Sequence, residues 1–304
     1  MNRLKKLVQD FWARLQKGAR QIWIDISKWQ GDINDAKLKA KVKAGELMGM
    51  IVRASVGLLD DIEFERNYKF MEDNPEIWRG AYHYLTSSSP WRAQLQKFLK
   101  RLEGKEIDIV VVDAEAKNNK LDYNYARAVV SFYLELKKLG YFVILYTGKY
   151  DYQTLRQHAP EIDDFYLWLA QYPYSVFSQW LLGWVRRVTT WPSLPKTAKR
   201  ALLVIWQFTD RGLGKLWGML SYGLDMNVVV KDQEWLLENV GIPNRWLADP
   251  VPIEQPPTAG LPSTQEQLEA MLAMSYKEGF DAGQQKMLDL VKKKVGTTLD
   301  SIEV

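Results

Sequence analysis

With 304 residues, 47% of them hydrophobic, the chain can build one large domain of about 200 to 250 residues with appendages, or two smaller domains. It has no cysteine and only two histidines, His83 and His158, which excludes disulfides, thiolate metal sites and cysteine nucleophiles, limits a Ser/His/Asp triad to two bases and points to carboxylate chemistry. The net charge of +4 is gathered in residues 1–20, where Arg3, Lys5, Lys6, Arg14, Lys17 and Arg20 face only Asp10, so the rest is near neutral and a basic body that binds nucleic acid is not expected.

Leu4, Leu7, Val8, Phe11, Trp12 and Leu15 recur at helical spacing, and residues 3–18 are predicted as a basic amphipathic helix that packs on the main domain or a partner, with membrane-surface binding as the alternative. Charges interrupt this segment every few residues, so no secretion signal is expected, and no run of 18 apolar residues predicts a transmembrane helix.

From residue 21 to about 240, short apolar runs alternate with helical patterns. The runs 21–26, 48–54, 79–84, 108–115, 141–147, 165–171, 202–208 and 224–230 read as strands, and helices are predicted over 34–44, 62–73, 90–103 and 122–139. This order predicts an α/β domain over 21–248 with a parallel sheet, most simply a modified TIM-like (β/α) barrel, with an open doubly wound sheet as the alternative. No glycine-rich phosphate fingerprint follows any strand. A Trp-rich insertion over 174–198 places Phe177, Trp180, Leu181, Trp184 and Val188 on one helical face, to pack on the barrel or to serve as a substrate rim or partner contact. Residues 249–262 form a Pro-rich linker. Beyond it, Ser263 and Glu266 open a capping-box pattern, so 263–304 is predicted as an amphipathic helical tail for docking or oligomerisation.

The run "DIVVVDAE" ends in two acids. Side chains alternate along a strand, so Val111, Asp113 and Glu115 share one face while Val110, Val112 and Ala114 share the other. Two carboxylates crowded beside an apolar strand raise the proton affinity of at least one, which suits a general acid. Their α-carbons lie roughly 6.6 Å apart, compatible with either retaining or inverting glycosidase geometry. Asp25, Tyr82, Tyr84, Tyr146, Gln207 and Asp225 close other strands, and a single barrel mouth would gather these acids and rings into the composition of a sugar-cleaving cleft.

Taken in order, "DISKWQGDI" (25–33), "GAYHY" (80–84), "VVVDAEAKN" (110–118), "ILYTG" (144–148), "LWLAQY" (167–172), "WQFTDRG" (206–212) and "LDMNVVV" (224–230) resemble glycoside hydrolase family 25, the Chalaropsis-type lysozymes that also occur as phage endolysins. The resemblance implies a metal- and cofactor-free muramidase cutting the β-1,4 bond between N-acetylmuramic acid and N-acetylglucosamine in peptidoglycan. It assigns Glu115 as the general acid. Asp113 either stabilises developing positive charge or positions the substrate N-acetyl group, Asp25 and Asp225 orient substrate and tune the pair, and Tyr82, Tyr84, Tyr146, Trp168 and Gln207 line the cleft. Val56 stands where the family often carries an acid, and Val111 stands where the related chitinases need a further aspartate. A phage or prophage protein of this kind is expected in the host cytoplasm before release to the wall, or on the virion. The virion, or a second copy, is the expected partner of the N-terminal helix and the 263–304 tail. The alternative is a lysozyme-fold structural or glycan-binding virion protein without turnover.

Overall fold

The computed structural model describes residues 22–117, 119–172, 192–241 and 243–247. The 3–18 helix, most of the 174–198 insertion, the 249–262 linker and the 263–304 tail lie outside the described residues. The described residues belong to two compact units, 22–232 and 233–247. The second carries two short helices, α6 (Gln233–Asn239) and α7 (Asn244–Leu247). No described helix is long and apolar enough to cross a membrane.

The first unit runs β1 (Ile22–Ile26), α1 (Asp35–Lys43), β2 (Leu47–Val56), β3 (Leu59–Asp60), α2 (Phe64–Glu72), β4 (Trp78–Tyr84), α3 (Trp91–Leu102), β5 (Ile109–Asp113), α4 (Tyr123–Lys138), β6 (Val143–Gly148), α5 (Lys149–His158), β7 (Leu167–Ala170), β8 (Leu203–Leu213) and β9 (Gly223–Val229). The sheet order is β1-β9-β8-β7-β6-β5-β4-β2-β3, and a further β1–β2 pairing closes it. With β3 only a short addition to β2, the other eight strands make a closed barrel, as expected, and the open sheet is ruled out. The four helices expected over 34–44, 62–73, 90–103 and 122–139 appear within one or two residues of their predicted ends. α5 has no counterpart among the expected helices because only Tyr152 and Leu155 of its sequence are buried, too few for a visible stripe.

One expectation is corrected. β9 runs antiparallel to both β1 and β8, so the barrel is not wholly parallel. Residues 214–222 connect β8 to β9, too short a stretch for the crossover that a parallel neighbour needs.

Strand alternation sorts the core into two layers. Val110, Val112 and Ala114 face outward into the cluster shared with the helices, with Phe98, Val129, Phe132 and Leu145. Val111 and Asp113 turn into the barrel. At the barrel floor Trp23 stacks on Trp78 with centroids 6.3 Å apart. The packing around them leaves no room for further side chains: a Cβ on Gly49 would come within 2.3 Å of Trp23 Cδ2, and one on Gly80 within 2.7 Å of Ile51 Cγ1. Bulky residues thus plug one end of the barrel and polar ones line the other.

His83 lies on the outer layer, fully buried and stacked on Phe132 at 5.0 Å. Gln94 Nε2 donates to Thr86 O and Ser89 O, so its Oε1 accepts from His83 Nε2 at 3.1 Å and His83 Nδ1 accepts from Ser55 Oγ at 2.8 Å. That network specifies one neutral tautomer, and burial pushes the imidazole down to about 4. His83 joins strand to helix and takes no part in the cleft.

Candidate active site

The polar end opens as a cleft of about 420 Å³ lined by Asp25, Asp113, Glu115 and Asp225, by Tyr82, Tyr84, Tyr146 and Trp168, and by Arg53, Val56 and the β1–α1 loop. Of the site residues that the sequence singles out, all line this one space except the amide Gln207, which lies outside the lining and donates to Asp25. The placement of Asp225 departs from expectation. It lies near the start of β9 and not at its end, and reaches the mouth because β9 is reversed.

Asp25 and Asp225 are direct cross-strand partners. Burial first, and then the charges of Asp25 and Asp210, push Asp225 well above the usual carboxylate range, and its carboxyl is hydrogen-bonded with that of Asp25. Asp25 also accepts from Asn227 Nδ2 at 2.8 Å and Gln207 Nε2 at 3.0 Å. These bonds resist the effect of burial, which still pushes Asp25 up to about 6. The two amides are themselves oriented from behind. Trp168 Nε1 donates to Asn227 Oδ1 at 2.9 Å, and Tyr146 OH donates to Gln207 Oε1 at 2.9 Å, joined there by Tyr172 OH. Each amide oxygen is therefore occupied and each NH2 is aimed at Asp25.

Asp113 is buried, with Oδ1 free of any hydrogen-bond partner among the described residues. Burial, followed by the charges of Glu115 and Asp25, pushes it well above the usual range, and Arg53 opposes the rise. Glu115, past the end of β5 and partly open to water, is pushed up to about 7 by burial, then by Asp151 and Asp25, with Lys117 opposing. A carboxyl that still carries its proton near neutrality, in contact with the cleft, is chemically able to protonate a leaving oxygen.

Arg53 is the buried cation of the site. Its Nε donates to Asp61 Oδ2 at 2.7 Å, and Asp61 also accepts from the backbone N–H groups of Lys28 and Glu63. This ion pair ties β2, the β1–α1 loop and the start of α2 together beneath the cleft rim. Ser27 and Gln30 cap the same loop reciprocally and leave Trp29 71% exposed at the rim, with Lys28 Nζ 5.1 Å from its ring centroid. Sequence reasoning missed Arg53, Asp61, Asn227 and Trp29. Alternation along β2 marks Arg53 as inward, and spacing from Asp225 marks Asn227 as sharing its face, so both were open to discovery; the pairing of Arg53 with Asp61 was not.

Buried carboxylates ringed by aromatic side chains stand at the mouth of a closed β/α barrel, an arrangement chemically suited to holding and cleaving sugars. The chain belongs to the glycosyl hydrolases family 25, whose model matches residues 24–215. It is 28% identical over 169 residues to the uncharacterized protein YegX of Escherichia coli K12, covering 54% of this chain and 61% of that protein, so the chain spans less than two thirds of the curated relatives it matches. Among solved structures, the family 25 glycosyl hydrolase of Bacillus anthracis aligns with a TM-score of 0.56 at 22% identity, over 74% of this chain and 94% of that one. The catalytic domain of endolysin ply40 from bacteriophage P40 of Listeria monocytogenes aligns with a TM-score of 0.55 at 22% identity, over 74% of this chain and 99% of that one. These likenesses establish the shared fold.

Proposed function

We propose that the protein is a muramidase that hydrolyses the β-1,4 bond between N-acetylmuramic acid and N-acetylglucosamine in peptidoglycan. The observation that carries this reading is Glu115: a cleft-facing carboxyl kept protonated near neutral pH beside a second buried acid, Asp113, in a barrel of this family. Glu115 donates its proton to the glycosidic oxygen. Asp113, with one oxygen unengaged, orients the N-acetyl group or, in its ionised form, stabilises the positive charge that develops on the sugar. Asp25, fixed by Asn227 and Gln207, and its cross-strand partner Asp225 set the charge of the floor and orient substrate. Tyr82, Tyr84, Tyr146 and Trp168 give the cleft walls suited to sugar rings.

The reading includes a phage or prophage origin, with action on the wall after release from the host cytoplasm or from the virion, and docking or self-association through residues 3–18 and 263–304. Light scattering of the full chain tests the last point, where a monomeric mass removes self-association. Val56, which lines the cleft as an apolar residue, favours a second reading in which the barrel binds glycan without cleaving it. Purified peptidoglycan treated with wild type and with Glu115→Gln distinguishes the two. Muramic-acid reducing ends released by wild type and absent with the variant support the muramidase. Glycan binding with no release across several wall types supports the binder.

A further inference from the structure

The segment that carries Glu115 is held by a residue from another element. Ala116, the next residue, donates its backbone N–H to Asp151 Oδ2 at 2.9 Å, and Asp151 belongs to the first turn of α5. From the other side, Asn119 Nδ2 donates to Glu115 O at 2.9 Å and to Leu85 O at 3.1 Å, while Asn119 Oδ1 accepts from Ser87 N. The peptide units around the acid are therefore clamped between the β4 end and α5. Asp151 is not among the cleft-lining residues, so it is placed to act on Glu115 and not on a bound sugar.

Several charged and titratable groups face Glu115. Asp113 and Lys117 come from its own segment, Asp25 from β1, Asp225 from β9 and Asp151 from α5, with the phenols of Tyr84, Tyr125, Tyr146 and Tyr172 around them. Arg53 of β2 faces Asp113. After burial, Asp151 is the largest of the influences that favour the protonated acid, ahead of the opposing Lys117 and of Asp25. An acid in the first turn of a helix ordinarily serves the helix dipole alone. Here its carboxylate is already committed to the chain beside Glu115.

We propose that Asp151 is a positioning residue for Glu115: its carboxylate anchors the peptide that follows the acid and supplies the negative field that sets the highest pH at which the acid can donate. This rests on Glu115 being the general acid. The test uses Asp151→Asn, which keeps an oxygen able to accept from Ala116 but removes the charge, and Asp151→Glu, which keeps the charge. Two readouts are taken: the pH–rate profile on purified peptidoglycan, and the titration of Glu115 by carboxyl carbon NMR of glutamate-labelled protein, its signal identified by absence in Glu115→Gln. In Asp151→Asn the alkaline limb should move to lower pH. The rate near pH 8 should fall roughly three- to tenfold and that near pH 5 less than about twofold, with the Glu115 titration moving the same way. Asp151→Glu should restore most of both. An unchanged Glu115 titration in folded Asp151→Asn overturns the proposal. Should that variant not fold, Asp151→Ser is read by the same titration. If wild type releases no sugar ends, the muramidase reading fails, and the NMR titration, which needs no turnover, still decides whether Asp151 acts on Glu115.

Discussion

Replacing Glu115 by glutamine removes a group whose proton affinity the fold raises from 4.5 to about 7, through burial first and the Asp151 charge next. Below pH 4.5 the carboxyl is protonated in folded and unfolded chains alike, and it contributes no difference. Between 4.5 and 7 the unfolded chain has released its proton while the folded protein retains it, so stability falls as pH rises. Above the folded value the loss is complete. At about 1.4 kcal/mol per pH unit, that interval corresponds to about 3 kcal/mol, and the contact of Glu115 with water lowers this toward about 2. Glutamine, which does not titrate, escapes the loss. Urea unfolding followed by tryptophan fluorescence should show Glu115→Gln gaining about 2 to 3 kcal/mol on wild type between about pH 4 and pH 8, while its hydrolytic rate stays at background. Any fixed effect of the substitution appears equally at both ends and cancels. A gap that does not change with pH, or one that narrows as pH rises, would refute a raised proton affinity at Glu115 and with it the physical basis of its proposed role as acid.

Asp61→Ala leaves the Arg53 guanidinium buried without its partner, together with the Lys28 and Glu63 backbone donors. Unfolding free energy should fall by about 3 to 5 kcal/mol, read from the urea midpoint at unchanged slope. His83 carries the opposite pH signature to Glu115. Its imidazole is pushed down to about 4, so below its ordinary 6.5 the unfolded chain binds a proton that the folded protein refuses, and stability is lost as pH falls from 6.5 to about 4. His83→Gln should flatten that acid-side slope by up to about 3 kcal/mol while lowering stability evenly elsewhere, a pattern that unfolding curves across the same range will show or exclude.

Much of the barrel was legible because a strand's own residues record which side faces what. The alternation of Val110, Val112 and Ala114 with Val111, Asp113 and Glu115 already separates an outer apolar face from an inner one, and the structure keeps that division. Helical stripes were equally visible in α2, α3 and α4, whose buried residues recur every three or four positions, and invisible in α5, whose buried side chains are Tyr152 and Leu155 alone. Asp151 was passed over with α5. It acquires meaning only through a hydrogen bond to Ala116, 35 residues away.

By itself, then, the sequence determined the periodicity: which runs are strands, which faces are apolar, and that Asp113 and Glu115 project together from one of them. The direction of β9 was not so determined. A strand's residues specify its faces but not its polarity in a sheet, which depends on the length of its connection and on the partners it meets. Only the closed barrel places β9 antiparallel between β1 and β8, sets Asp225 across from Asp25, and brings Asn227 and Gln207 onto the same carboxylate. The proton affinities of these acids follow from the same closure, because burial and neighbouring charge exist only once eight strands enclose them.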